Sequence, residues 1–246
     1  MQADPTAQQA LLQVADLDTQ VARLRHRRKS LPENVQLAEL QAKRGKLSEQ
    51  IVAGQTRLTD AEAEQERLEI DLAPAQARLK RNQEKIDSGL ITQKALQPML
   101  DEVEHLKGRI ANLEDTQLEI MQRIEDETEA IDRLTAARKE IETTMRDLLA
   151  SRDKSAAELD IQITNIAEQR STLAGRLPAE LIALYDKIAQ RVGGTGAAEL
   201  RARRCGGCGL ELDVSELKRH AHASPDEVLR CEECGRILVR TDNSGL

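Results

Sequence analysis

Apolar residues recur along much of this chain at alternating spacings of three and four residues. The most regular stretch has sixteen consecutive core positions, thirteen of them apolar: Leu96, Met99, Val103, Leu106, Ile110, Leu113, Gln117, Ile120, Ile124, Glu127, Ile131, Leu134, Arg138, Ile141, Met145 and Leu148. This spacing places the apolar side chains on one stripe of a helix and is typical of coiled coils. The stretch therefore predicts a long coiled-coil helix.

A second heptad stretch precedes the first. Its core positions are Leu40, Arg44, Leu47, Ile51, Gly54, Leu58, Ala61, Gln65, Leu68, Leu72, Ala75, Leu79, Asn82 and Ile86. Asp87-Ser88-Gly89 then interrupts the pattern, and glycine can adopt the left-handed conformation of a turn. Two heptad helices joined by a short turn near 87–91 predict an antiparallel coiled-coil hairpin.

The register of the hairpin depends on where its turn is centred. A turn centred on Gly89 gives the pairs Leu79 with Met99, Leu72 with Leu106 and Leu47 with Ile131. A register shifted by one heptad satisfies the same apolar pattern and stays open.

Proline and glycine mark the other boundaries. Asp4-Pro5 has the form of a helix start, and Leu31-Pro32 predicts a break near 30–33. A second Leu-Pro pair, Leu177-Pro178, ends the second long helix. The predicted organisation is a helical hairpin over 1–176, a connecting helix over 177–192, a flexible linker over 193–199 and a small domain over 200–246.

All four cysteines lie in two Cys-x-x-Cys pairs, Cys205/Cys208 and Cys231/Cys234, each followed by a glycine. Thiolates at this spacing bind one face of a zinc ion, and two pairs complete a tetrahedron. Four cysteine ligands leave no position for water, so the expected metal is one structural Zn²⁺ rather than a catalytic one. Two disulfides, or reduced thiols in a small core, are the alternatives.

The segment between the two pairs predicts a short helix over 214–221, with Asp213 and Glu216 spaced as an acidic capping box. Short strands are expected at 228–230 and 237–240. His220 and His222 are predicted to be exposed on the short helix, since four thiolates already fill the zinc site. The predicted fold class is thus mainly α: a long coiled-coil hairpin followed by a small C4 zinc ribbon.

Six basic residues of the ribbon are candidates for nucleic-acid contact: Arg201, Arg203, Arg204, Lys218, Arg219 and Arg236. Acidic residues of the same segment balance its positive charge, and it has no aromatic residue for base stacking. An ordinary solvated surface or a protein-contact face is therefore the favoured interpretation.

Composition narrows the class of protein further. The net charge is −7, Tyr185 is the only aromatic residue, and 32% of the residues are charged, as in long helices rather than large globular cores. No apolar run has the length of a signal peptide or a membrane span. We therefore expect a cytoplasmic protein without a membrane segment, and we find no motif for a small-molecule substrate.

Three segments resemble the bacterial C4-type zinc-ribbon coiled-coil family, in particular its actinobacterial branch. They are Val14-Ala15-Asp16-Leu17-Asp18, the run Leu177-Pro178-Ala179-Glu180-Leu181 to Tyr185, and Cys231-Glu232-Glu233-Cys234-Gly235-Arg236-Ile237-Leu238. The resemblance implies a non-enzymatic role and assigns the metal ligands to the four cysteines. Nucleic-acid binding is often attributed to this family, and some relatives are implicated in chaperoning or binding an alternative sigma factor, in flagellar regulation or in secretion.

Two functions from different classes follow. The first is a non-enzymatic adaptor or scaffold that binds another macromolecule, in the first place a protein, in transcription regulation or as a chaperone. The second is a DNA- or RNA-binding protein that uses the basic residues of the ribbon. An enzyme would need a pocket with activated groups, which the sequence does not offer.

Overall fold

The computed structural model describes residues 1–246 and contains five helices and four short strands. The elements in chain order are α1 (Pro5–Lys29), α2 (Pro32–Asp87), α3 (Gln93–Ala174), α4 (Ala179–Val192), β1 (Ala197–Arg201), β2 (Arg204–Cys205), α5 (Val214–His222), β3 (Leu229–Arg230) and β4 (Ile237–Val239). The predicted breaks at 30–33 and 87–91 and the helix end before Pro178 are confirmed. No helix combines the length and the apolar composition needed to cross a lipid bilayer.

The chain divides into two compact units, Gln36–Leu148 and the remainder, Met1–Val35 with Leu149–Leu246. The first unit is the coiled-coil hairpin formed by α2 and α3. Its buried residues all lie at predicted heptad positions: Ile51, Gly54, Ala61, Leu72, Ala75, Asn82, Val103, Leu106, Ile110 and Ile120. The heptad pattern therefore identified the packing stripe of both helices correctly.

The pairing between the two stripes differs from the predicted one by a heptad. A Cβ atom on Gly54 would lie 3.0 Å from Ile131 Cγ1, so Ile131 packs against Gly54 rather than Leu47. A bidentate ion pair from Arg57 to Glu127, at 2.6 and 2.9 Å, lies beside this contact. The predicted register placed the centre of the turn at Gly89. Because α3 begins only at Gln93, residues of α2 pair with residues of α3 that lie later in the chain than predicted.

In the second unit, α1, α4 and a mixed sheet surround one apolar core. The sheet order is β2-β1-β4-β3; β1 runs parallel to β4, and the other pairs are antiparallel. Side chains alternate across the sheet, as in any strand. The face towards the helices carries Ala197, Ile237 and Val239, which pack with Leu11, Val14, Leu181, Tyr185 and Ile188.

Residues 197–199, predicted to be part of a flexible linker, are instead the first three residues of β1. The turn before this strand is also tightly packed, because a Cβ atom on Gly196 would lie 2.1 Å from the carbonyl oxygen of Tyr185. Gly196 therefore permits close approach of two backbones rather than flexibility alone. Strand propensity of Ala-Ala-Glu-Leu-Arg is low, so tertiary pairing with β4 decides the conformation.

Tyr185 joins three helices of this unit. Its hydroxyl donates a 2.7 Å hydrogen bond to Asp18, and Arg170 donates to Asp18 at 3.2 Å and also binds Asp186. Burial, followed by the hydrogen bond to Asp18, raises the pKa of Tyr185 far above its usual range. The hydroxyl therefore stays protonated and ties α4 to α1, and Arg170 ties both of these helices to α3.

Candidate metal centre

The four cysteines converge on one point between two turns of identical backbone pattern. In the first turn, the amide of Gly209 donates to the carbonyl of Cys205 at 2.8 Å; in the second, Gly235 donates to Cys231 at 2.8 Å. Gly209 and Gly235 have φ values of +77° and +71°, a conformation that favours glycine. The glycine after each second cysteine therefore supplies the left-handed residue that closes the turn.

The sulfur positions match a tetrahedral metal site. Cys205 Sγ lies 3.8 Å from Cys234 Sγ, and Cys208 Sγ lies 3.9 Å from Cys231 Sγ. A tetrahedral ion with Zn–S bonds of about 2.3 Å needs neighbouring sulfurs about 3.8 Å apart. All four sulfurs lie within 4.8 Å of one another, and none forms a disulfide. The residues present therefore fit one Zn²⁺ ion, and the disulfide alternative is wrong.

Burial shapes the acidity of the thiols. It raises the pKa of Cys231 to about 12 and also raises that of Cys205. Burial acts in the same direction on Cys234, but the hydrogen bonds from Arg236 and from the neighbouring thiols outweigh it and lower the pKa to about 7. Thiols of raised pKa must lose their protons to bind a metal, so zinc binding releases protons.

The second face of the sheet supports the site. Ala198, Leu200 and Leu238 pack with Leu212, Leu229, Cys205 and Cys231. This cluster is small, and metal coordination supplies the cross-link that a small core lacks. The zinc ribbon therefore consists of a sheet with the metal side on one face and the helices α1 and α4 on the other.

Glu216 supports the second turn, a role that the sequence did not reveal. The predicted strands before and after this turn are present, and helix α5 begins after Asp213, whose side chain accepts from the amides of Ser215 and Glu216 at 2.6 and 2.9 Å. The reciprocal half of the predicted capping box is not formed. The buried Glu216 carboxylate instead accepts from the amide of Glu232 at 3.3 Å, and burial raises its pKa.

Both histidines of α5 were predicted to be exposed. This prediction is wrong for His220 and is confirmed for His222. His220 is only 2% exposed, and its Nε2 lies 4.0 Å from Glu216 Oε1. Burial lowers the pKa of His220, which favours the neutral imidazole. It lies on the inner face of α5, four residues after Glu216, a spacing that could have indicated a shared buried face.

Four of the six candidate basic residues are bound within the ribbon. Arg204 pairs with Glu211 at 3.0 Å and Arg219 with Glu232 at 2.6 Å. Arg203 and Arg236 donate to the carbonyls of Gly245 and Thr195, at 3.1 and 3.0 Å.

The two remaining candidates, Arg201 and Lys218, are exposed and form no ion pair. Arg201 lies at the end of β1, and Lys218 lies on α5. The structure thus pairs two of the six candidate cations with carboxylates, whereas Arg203 and Arg236 keep an unneutralised charge because their acceptors are carbonyls.

The fold and the site together define a coiled-coil helical hairpin that carries a C4 zinc ribbon. The chain belongs to the CT398-like coiled-coil hairpin family, whose model matches residues 14–193, and residues 204–238 match the C4-type zinc ribbon domain. Cys205, Cys208, Cys231 and Cys234 are accordingly the ligands of one structural Zn²⁺.

Similar proteins come from mycobacteria and more distant bacteria. The uncharacterized protein Rv2229c of Mycobacterium tuberculosis is 33% identical, with 98% of each chain covered. A solved structure from Mycobacterium smegmatis is also 33% identical, with a TM-score of 0.87 and coverage of 98% of this chain and 100% of that one. CT398 of Chlamydia trachomatis has the same fold at 16% identity, with a TM-score of 0.72 and coverage of 96% and 98%. The mycobacterial relatives agree with the actinobacterial branch of the family.

Proposed function

We propose that this protein is a non-enzymatic adaptor of the cytoplasm that binds another protein. The observation that carries the proposal is the saturation of the metal site, since four thiolates occupy every position of a tetrahedral zinc ion. Such a zinc ion stabilises the ribbon and has no position for a substrate. The four free thiols suit a compartment that keeps cysteine reduced.

A protein partner is favoured over nucleic acid by the charges of the ribbon. Four of its six candidate cations already bind carboxylates or carbonyls of the same unit. The single aromatic side chain, Tyr185, is fully buried and is not available to stack on a base. Contact of nucleic acid with these four side chains would therefore compete with their internal contacts, and only Arg201 and Lys218 are free of such a contact.

The test is affinity capture of the tagged protein from its own cells, with and without nuclease. We expect the same set of proteins to be retained after nuclease treatment. A matched variant with serine in place of the four cysteines shows which of the captured proteins need the folded ribbon. Retention of nucleic acid alone, with proteins lost on nuclease treatment, would contradict the proposal and favour the DNA- or RNA-binding alternative.

A further inference from the structure

The C-terminal part of α1 carries a dense group of cations. Six of the seven residues from Arg23 to Lys29 are arginine, lysine or histidine, in a chain whose net charge is −7. Arg28 pairs with Asp160 at 2.7 Å. The other members, Arg23, Arg25, His26, Arg27 and Lys29, are exposed and form no ion pair.

The stabilisation of α1 explains the presence of only some of these cations. Cations in the last turn of a helix interact favourably with its dipole, and His26, Arg27, Arg28 and Lys29 occupy that turn of α1. Arg23 and Arg25 lie before the last turn, where this effect fades. Two exposed guanidinium groups therefore remain without an internal role.

Arg23 and Arg25 line a groove of about 660 Å³ between α1 and the turn Gly193–Thr195. Val21 and Ala22 contribute apolar surface to it. Asp18 also lines the groove, but its carboxylate already accepts from Tyr185 and Arg170. Arg236 donates to the carbonyl of Thr195 at 3.0 Å and adds a further positive charge behind the turn. The groove is thus apolar at its wall and positively charged at its rim.

We propose that this groove binds an acidic segment of a protein partner. Carboxylates of the segment pair with Arg23 and Arg25, because guanidinium groups bind carboxylates with two parallel hydrogen bonds. An apolar side chain of the segment lies against Val21 and Ala22. The inference rests on the proposed adaptor function and names the surface that serves it.

A peptide fits this groove better than a nucleic acid does. Single strands gain much of their affinity from stacking on exposed aromatic side chains, and no Phe, Tyr or Trp lines the groove. The apolar wall would gain nothing from a sugar-phosphate backbone. An acidic peptide with apolar residues uses both the rim and the wall.

The experiment measures fluorescence anisotropy of a labelled dodecapeptide of Glu, Asp and Leu with the full-length, zinc-loaded protein. The double variant Arg23→Gln/Arg25→Gln keeps the helix propensity of α1, and circular dichroism checks its fold. We expect this variant to bind the peptide about tenfold more weakly or worse. The control Arg201→Gln/Lys218→Gln removes the same charge from two exposed cations of the ribbon and should bind within about twofold of the wild type.

Three results of this binding assay would overturn the inference. The first is equal loss of affinity in both double variants, which would indicate bulk charge. The second is undiminished binding when serine replaces every leucine of the peptide, since the groove would then have no part. The third is tighter binding of a duplex DNA or an RNA of equal charge at the same salt concentration. If the α1 variant still captures the wild-type set of cellular proteins, the adaptor function stands and this surface alone is wrong.

Discussion

At the scale of single residues, two glycines have opposite environments. A Cβ atom on Gly196 would meet the backbone of Tyr185 at 2.1 Å, a distance that no rearrangement of a side chain can relieve. Gly108 lies exposed within α3, and a Cβ atom there has nothing within 4 Å. The same substitution should therefore have opposite effects at the two positions.

We expect Gly196→Ala to lower the free energy of unfolding by about 3 kcal/mol or more, because β1 must move away from α4. Gly108→Ala should raise the stability of the hairpin by about 0.5–1 kcal/mol, because glycine is a poor residue in a helix interior. Urea unfolding followed by circular dichroism measures both. A Gly196→Ala protein as stable as the wild type would show that the turn is not closely packed.

The thiols give the metal site a defined dependence on pH. In the metal-free protein burial raises the pKa of Cys205 and Cys231, so protons occupy these sulfurs at neutral pH and compete with zinc. Zinc affinity should therefore fall as the pH falls, by about tenfold or more for each unit between about pH 8 and pH 6.

Competition with a chromophoric chelator at several pH values measures this slope. His220→Gln serves as the control, since His220 is a buried histidine of the ribbon that is not a zinc ligand, and the slope should remain. An affinity independent of pH would contradict the role of the thiols as zinc ligands.

At the scale of elements, the register of the hairpin can be tested by cross-linking. Gly54 lies against Ile131, so Gly54→Cys/Ile131→Cys should form a disulfide under mild oxidation. Leu47→Cys/Ile131→Cys represents the register centred on Gly89 and should not form one. Peptide mapping by mass spectrometry distinguishes the new bond from the four ribbon cysteines. Preferential cross-linking of residues 47 and 131 would reverse the assignment.

The elements also show which features of the fold could be predicted from the sequence and why the others could not. Pro32, Pro178 and the heptad stripes located the helices, because proline and period are local signals. The register of the hairpin could not be predicted from the sequence, because a shift of seven residues leaves every heptad position equivalent. Strand β1 depends on pairing with β4, far along the chain, so no local signal reveals it. For the burial of His220, the only local signal is its spacing of four residues from Glu216.

At the scale of the whole molecule, zinc removal should affect the two compact units differently. The unit Gln36–Leu148 contains no part of the ribbon and has its own apolar core, which includes Leu72 and Leu106. A strong chelator should expose the amides of β1, β4 and the facing side of α1, while those of the hairpin unit stay protected. Hydrogen exchange with mass spectrometry measures both, and re-addition of zinc is the control. Protection of β4 in the chelated protein would show that the ribbon folds without metal.

The core that joins α1 to the sheet has a consequence for synthesis. Leu11 and Val14 pack with Ile237 and Val239, more than two hundred residues later in the chain. At about 5–20 residues per second, a ribosome needs on the order of tens of seconds between these two segments. Throughout that interval the apolar face of α1 has no sheet to cover it, and the last cysteine to emerge decides when the metal can bind. Zinc supply is thus expected to set the moment at which a nascent chain stops being a target for chaperones and proteases.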